Sequence, residues 1–222
     1  MVRIKQFEVN FLRENAAVCW KEGEDKCVVV DPGFYTDEDF RLYRDFLDAR
    51  GLRAEAILLT HCHIDHIYGV AALQRGTGVP VYMHPADEPL RDYNREIAVK
   101  LGLKVPDISF SYESIHDGQV VETAGLRFEV IHTPGHSPGS CCWLERDEKV
   151  LFSGDTLFAG TIGRTDLLYS DYDQEIVSIM EKLVWLDPDT AIYPGHGWTS
   201  TIGAERLGNP FLEPFNEKEE LG

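Results

Sequence analysis

The 222-residue chain is long enough for one sizeable core, and its composition, 43% hydrophobic and 27% charged, is that of a globular protein. A formal charge of −17 repels phosphate backbones and anionic lipid surfaces, which disfavours nucleic acid and membrane as partners and leaves a small molecule. The N-terminal MVRIKQFEVN lacks the apolar region and cleavage site of a signal peptide, and no apolar run approaches the roughly 18 residues of a membrane span, so the expected location is cytoplasmic.

Strand-like runs come first: Ile4–Val9, Ala16–Trp20 and Lys26–Val30, the last ending in DPG. A helix is expected over Asp37–Arg50, then a buried strand over Glu55–Thr60 and a helix from His66 to near Gly76. PVYMH reads as a short strand and Asp87–Leu103 as a helix. In the second half, QVVETAGLRFEVIHT reads as a hairpin turning at Ala124-Gly125, and SCCWLE and KVLFSG as two further strands. A helix over Gln174–Leu186, a strand in TAIYPG and a closing helix over Ser200–Leu207 complete the chain. Strands dominate each half and each half ends in helix, so the physical solution is two sheets packed together with helices outside. The five cysteines (Cys19, Cys27, Cys62, Cys141, Cys142) form no C-x-x-C pair and read as buried apolar thiols rather than a disulfide framework.

The chemistry concentrates in THCHIDHIYG, where His61, His63, Asp65 and His66 lie within six residues. An extended backbone would place His61, His63 and Asp65 on one face and point His66 away. A strand-to-helix turn is therefore needed to bring Asp65 and His66 to a common ion. Asp65 by itself also fits a helix N-cap. Three more stretches each place a ligand-type residue after an apolar strand beside glycine or proline: His136 in HTPGHSPGS, Asp155 in FSGDTLF and His196 in IYPGHGW. Five histidines and two aspartates exceed the four ligands of one closed zinc site and suit two ions sharing a carboxylate. His84, His116 and His132 read as structural or solvated, with His132 a candidate to support a ligand.

In order and spacing, THCHIDH, TPGHSPGS, SGDTLF and YPGHG resemble the motif series of the metallo-β-lactamase superfamily, and within it the short glyoxalase II-like (hydroxyacylglutathione hydrolase-like) proteins. GRTD at Gly163–Asp166 and the ending STIGAERLGNPFL contribute to that resemblance. The resemblance implies the αββα fold: two mixed sheets face to face, with helices on the outer faces, in a single domain over residues 1–222. It also implies a first metal on His61, His63 and His136, a second on Asp65, His66 and His196, and Asp155 bridging both. Zinc β-lactamases commonly carry cysteine at the position of Asp155. An all-His/Asp set admits two divalent ions, zinc foremost, with iron or manganese also compatible.

The implied activity is hydrolysis by a metal-bound hydroxide, which Asp65 would help orient, so Asp65 is both ligand and catalytic residue. A thiol of pKa about 8.5 leaves as thiolate without prior protonation, which favours small thioesters of the S-lactoylglutathione type. Residues 197–222 leave no room for the helical domain that binds glutathione in full-length glyoxalase II. Arg164 is the candidate for a substrate carboxylate, against a simple ion pair with Asp166, and Tyr169 and Tyr172 are candidate pocket residues. The alternatives are a persulfide dioxygenase with one iron on His61, His136 and Asp155, a lactonase, or a non-catalytic metal-stabilised scaffold.

Overall fold

The computed structural model of the protein describes residues 1–213; residues 214–222, the end of the expected domain, lie outside the described residues. The first sheet runs in chain order: β1 (Val2–Val9), β2 (Glu14–Lys21), β3 (Lys26–Val30), β4 (Arg53–Leu58), β5 (Val81–Met83) and β6 (Glu113–Ser114). Its first three strands are antiparallel neighbours, and β3 to β6 are parallel. The second sheet contains β7 (Val120–Thr123), β8 (Leu126–His132), β9 (Cys141–Glu145) and β10 (Val150–Gly154). A small hairpin, β11 (Leu157–Phe158) and β12 (Thr161–Ile162), follows. The chain then returns to the second sheet as β13 (Ala191–Pro194), parallel to β10, and β14 (Ser200–Thr201).

Strand side chains alternate between two cores. Val28, Val30, Ala56 and Leu58 of the first sheet pack against Phe128, Val130, Trp143 and Phe152 of the second. Their neighbours Val29 and Ile57 face outward beneath α1 (Asp37–Arg50), whose Tyr43 and Leu47 cover them. Ile131, Cys142, Leu144 and Leu151 face outward on the other side, beneath Ile179 and Leu183. Strands buried on both faces explain why KCVVV and the EAILLT run are nearly continuous apolar sequence rather than alternating. The result is the four-layer αββα sandwich. No helix among the described residues is long and apolar enough to cross a membrane.

Several expected elements are subdivided. The helix expected from His66 to Gly76 begins earlier and is broken into α2 (Ile64–Ile67) and α3 (Val70–Thr77). The cause is Gly69: its N–H bonds Pro32 O at 2.8 Å, and a Cβ there would lie 2.6 Å from the same oxygen. A 3₁₀ turn over Pro85–Asp87 precedes α4 (Glu88–Leu101). The helix expected at Gln174 starts as α5 (Tyr172–Ser178), because Asp171 caps the Gln174 N–H, and continues as a π-helical turn over Ile179–Leu183. The closing helix is α6 (Ile202–Gly208), capped by Thr201 after the short β14.

Candidate metal centre

The seven expected ligands converge at one end of the sandwich, on loops that leave both sheets. His61 follows β4, and the loop from Thr60 is fixed from behind by Asp31, the residue after β3. The Asp31 carboxylate accepts the Thr60 N–H at 2.8 Å and the Thr60 hydroxyl at 2.6 Å, and Nδ1 of His66 lies 3.0 Å from it. Asp65 is inside α2 rather than capping it: the N-cap position is His63, which makes no side-chain cap bond. The turn into α2 thus directs the Asp65 carboxylate to His196, at 3.2 Å.

The second sheet supplies the rest. His136 is held by its own N–H on Glu175 Oε2 at 2.8 Å. Asp155 follows Gly154, whose φ of 52° is left-handed and whose Cα faces the Thr60 side chain too closely for any Cβ. The His196 turn crosses to the first sheet: Asn15 N–H bonds Gly195 O at 2.7 Å, and the Asn15 side chain bonds Pro194 and Gly197 carbonyls. Two bonds join the sheets directly behind His61, from Trp143 Nε1 to Leu59 O (2.9 Å) and from Cys141 N to Thr60 O (2.8 Å).

The partners of the ring nitrogens determine the tautomers. Nδ1 of His136 donates to Arg164 O at 2.8 Å and Nδ1 of His196 to Leu12 O at 3.2 Å, because a carbonyl only accepts. Nδ1 of His66 donates to the Asp31 carboxylate. Thr60 has given its hydroxyl proton to Asp31, so it accepts from Nδ1 of His61 at 3.1 Å. Four imidazoles therefore turn Nε2 toward the centre, the nitrogen a metal would use, although Nε2 of His136 already faces Nδ1 of His63 at 2.8 Å.

Among the described residues three triads have ligand atoms within 4.8 Å of one another: His61, His63 and His136; Asp65, His66 and His196; and Asp31, His61 and His66, where the Asp31 carboxylate already accepts from Thr60 and His66. Asp155 spans the first two, with Oδ2 at 3.4 Å from His136 Nε2 and 3.6 Å from His196 Nε2, and Oδ1 at 3.4 Å from His66 Nε2. His61 Nε2, His66 Nε2 and Asp155 Oδ1 are buried and have no hydrogen-bond partner. Orphaned buried ligand atoms carry a large desolvation cost that a cation removes, so the residues fit two divalent ions.

The two groups spanned by Asp155 differ electrostatically: burial opposes charge on His66 and His196, but Asp65 and Asp155 outweigh it and raise both, so an ion at that group would displace protons. Burial, reinforced by neighbouring histidines, holds His61 well below the usual imidazole range and pushes His63 down to about 3, leaving both neutral and able to ligate. Burial opposes ionisation of Asp155, but His66, His136 and His196 outweigh it and hold the carboxyl well below its ordinary value.

Four buried carboxyl groups around the ligands were not singled out from the sequence: Glu14, Asp31, Asp87 and Glu175. Asp87 fastens the two main loops together, accepting the Cys62 N–H (2.8 Å), the Gly139 N–H (2.6 Å) and the Ser137 hydroxyl (2.9 Å). Burial pushes Asp87 up to about 6 and Glu175 up to about 8. Asp31 was detectable, since it follows an apolar strand just as Asp155 does. Asp87 and Glu175 begin or occupy helices and carry no such signal. Cys62 points into the apolar core, away from the ligands. His132 supports no ligand: its ring stacks on His84 at 4.0 Å, and Nε2 donates to Pro138 O.

A cavity of about 770 Å³ opens over the ligands, lined by His63, Asp65, His136, Asp155 and His196 at its floor and by Arg164 at its side. Arg164 pairs with Asp166 at 2.9 and 3.0 Å, both side chains exposed. Tyr169 and Tyr172 are not among the lining residues: both are about half exposed, and Tyr169 meets the cavity only through an edge contact to Tyr93 at 6.5 Å.

Two sheets enclosed by helices, with a histidine- and aspartate-rich cage on the loops at one end, define a protein of the metallohydrolase class. The chain belongs to the metallo-beta-lactamase superfamily, whose family model matches residues 10–196. It is 36% identical over 217 residues to the hydroxyacylglutathione hydrolase GloC of Haemophilus influenzae, covering 95% of this chain and 98% of that one. Among solved structures it is similar to the B3 metallo-beta-lactamase BLEG-1 (34% identity, TM-score 0.84, 95% and 99% of the two chains). It is also similar to TTHA1623, solved in a di-iron-bound form (37% identity, TM-score 0.82, 94% and 100% covered).

Proposed function

We propose that the protein is a binuclear metal-dependent thioester hydrolase acting on S-lactoylglutathione-type or related small thioesters. The observation that carries this reading is Asp155, whose two oxygens face both ligand groups while one of them has no hydrogen-bond partner. His61, His63 and His136 would hold one ion and Asp65, His66 and His196 the other, with Asp155 shared. Two divalent ions there, zinc foremost and iron or manganese also suited to these donors, would supply Lewis-acid charge and a water acidic enough to attack at neutral pH.

The chain's own groups do the rest. Asp65 lines the cavity floor, where its carboxylate can accept a hydrogen bond from the attacking water and orient it toward an acyl carbon. A thiolate leaves without a proton donor, so no further acid is needed. The Arg164–Asp166 pair is exposed and screened by solvent, so Arg164 can exchange Asp166 for a substrate carboxylate. The similarity to GloC supports a glutathione thioester as substrate.

The test is metal analysis of the native protein followed by a thioester panel. Two ions per chain with turnover, lost in Asp155→Ala and His61→Ala, is the expected result. A chain loaded with two ions that hydrolyses no thioester refutes the reading, and one iron with oxygen uptake on glutathione persulfide replaces it with a dioxygenase.

A further inference from the structure

The wall above the ligands is apolar. Leu12, Ile97, Leu101, Phe158, Ile162 and Trp198 line it, and Arg164 is the only lysine or arginine among the described lining residues. Tyr93, Ile97 and Leu101 recur at helical spacing, so one face of α4 forms a continuous side of the cavity. That face is fixed to the ligand loop, because the buried Asn94 side chain donates to Cys62 O at 2.6 Å. At the mouth, Leu12 is 48%, Leu101 64% and Trp198 85% exposed. An apolar rim continuous with a polar reactive floor marks a place where apolar matter is bound.

Charge narrows the occupant. The chain carries −17, and the one cation in the wall already faces Asp166. A ligand with several carboxylates finds little attraction here beyond the metal floor itself, whereas an uncharged apolar chain is complementary to the whole wall.

Resting on the thioester-hydrolase reading and narrowing it, we infer that the preferred substrate carries an apolar acyl chain lying along the Ile97–Leu101 face of α4 toward Trp198. In the reaction, the oxygen of water bonds to the acyl carbon and the C–S bond breaks. The water gives up both protons to solvent and the thiolate takes one back, leaving a fatty carboxylate, a thiol and one released proton.

The test uses the metal-loaded full chain and N-acetylcysteamine thioesters from acetyl to octanoyl, with S-lactoylglutathione alongside. A fully buried methylene is worth about fourfold. On a wall open at one side we expect about twofold per carbon in kcat/KM, so that octanoyl exceeds acetyl by roughly sixtyfold and exceeds S-lactoylglutathione. Leu101→Asp and Trp198→Asp, both at exposed positions, should each reduce the octanoyl-to-acetyl ratio by about fivefold or more.

Binding of the non-hydrolysable thioether S-octyl-N-acetylcysteamine, followed by tryptophan fluorescence, separates the two layers. Tight thioether binding without turnover of any thioester keeps the apolar occupant and refutes the hydrolase. Turnover with a flat chain-length series, or with S-lactoylglutathione preferred, keeps the hydrolase and overturns the apolar acyl chain. A concentration-dependent dimer that shields Trp198 and excludes the thioether also overturns it.

Discussion

Asp31 and His66 are joined by a 3.0 Å hydrogen bond inside the protein, and the same carboxylate receives both the N–H and the hydroxyl of Thr60. One side chain thus sets the tautomer of His66 and, through Thr60, that of His61, so the two ligand groups share a brace. Asp31→Asn turns an amide NH₂ toward donors and takes the acceptor from Nδ1 of His66. Metal affinity should fall about 10–100-fold with the fold retained. Chelator competition monitored by metal content measures this, and an unchanged affinity would show that Asp31 is only a packing residue.

Gly154 has a left-handed φ and no room for a Cβ beside Thr60. Gly154→Ala adds backbone strain and overpacking together, with an expected loss of about 2–5 kcal/mol. Urea unfolding of the two proteins gives the number. A loss under about 1 kcal/mol would mean that the Asp155 turn relaxes freely.

The stacked His84–His132 pair predicts an acid-sensitive contribution to stability. Burial, then the neighbouring His132, pushes His84 down to about 4, against roughly 6.5 in an unfolded chain. Between those values the folded state binds fewer protons, so the contribution is complete above pH 6.5 and is lost as pH falls toward 4. His84→Phe keeps a stacked ring without a titrating group. Relative to wild type, the variant should gain about 1–2 kcal/mol between pH 7.5 and pH 4.5, a figure reduced because His84 is only partly buried. Parallel denaturation curves at the two pH values would contradict this.

Metal should stabilise as well as activate. An ion would satisfy His61 Nε2, which has no hydrogen-bond partner, and His66 Nε2 and Asp155 Oδ1, which only face each other at 3.4 Å. Free zinc at 100 times its dissociation constant should add about 2.7 kcal/mol, and a chelator should reverse it. A melting temperature that does not respond to either would argue that the cage is satisfied without an ion.

Much of this was legible in the chain. HCHIDH and the three single candidates stand at strand ends, the latter beside glycine or proline, so local pattern brings out His61, His136, Asp155 and His196 as candidates. Two packed sheets with outer helices are legible because strands dominate each half and each half ends in helix, and the αββα arrangement is implied by the family resemblance. Asp87 and Glu175 were not legible, because their importance comes from donors that folding brings near. Asp87 is separated by 25 residues from Cys62 and by 52 from Gly139, and Glu175 by 39 from His136. The break between α2 and α3 was hidden for the same reason: Gly69 suits a helix until Pro32 O approaches it. Tyr169 and Tyr172 are candidates only because they follow Arg164 in sequence; neither is among the lining residues, and both are about half exposed.

The bonds from Trp143 and Cys141 to the carbonyls of Leu59 and Thr60 cross the sandwich immediately behind the ligands. Each ligand group draws on both sheets, so the spacing of the two groups is a direct readout of how the sheets are aligned. A substitution deep in the shared core, such as one at Phe128 or Phe152, touches no ligand but alters that alignment. Its effect should therefore surface as a change in metal uptake, measured as ions bound per chain, before any loss of fold is detectable.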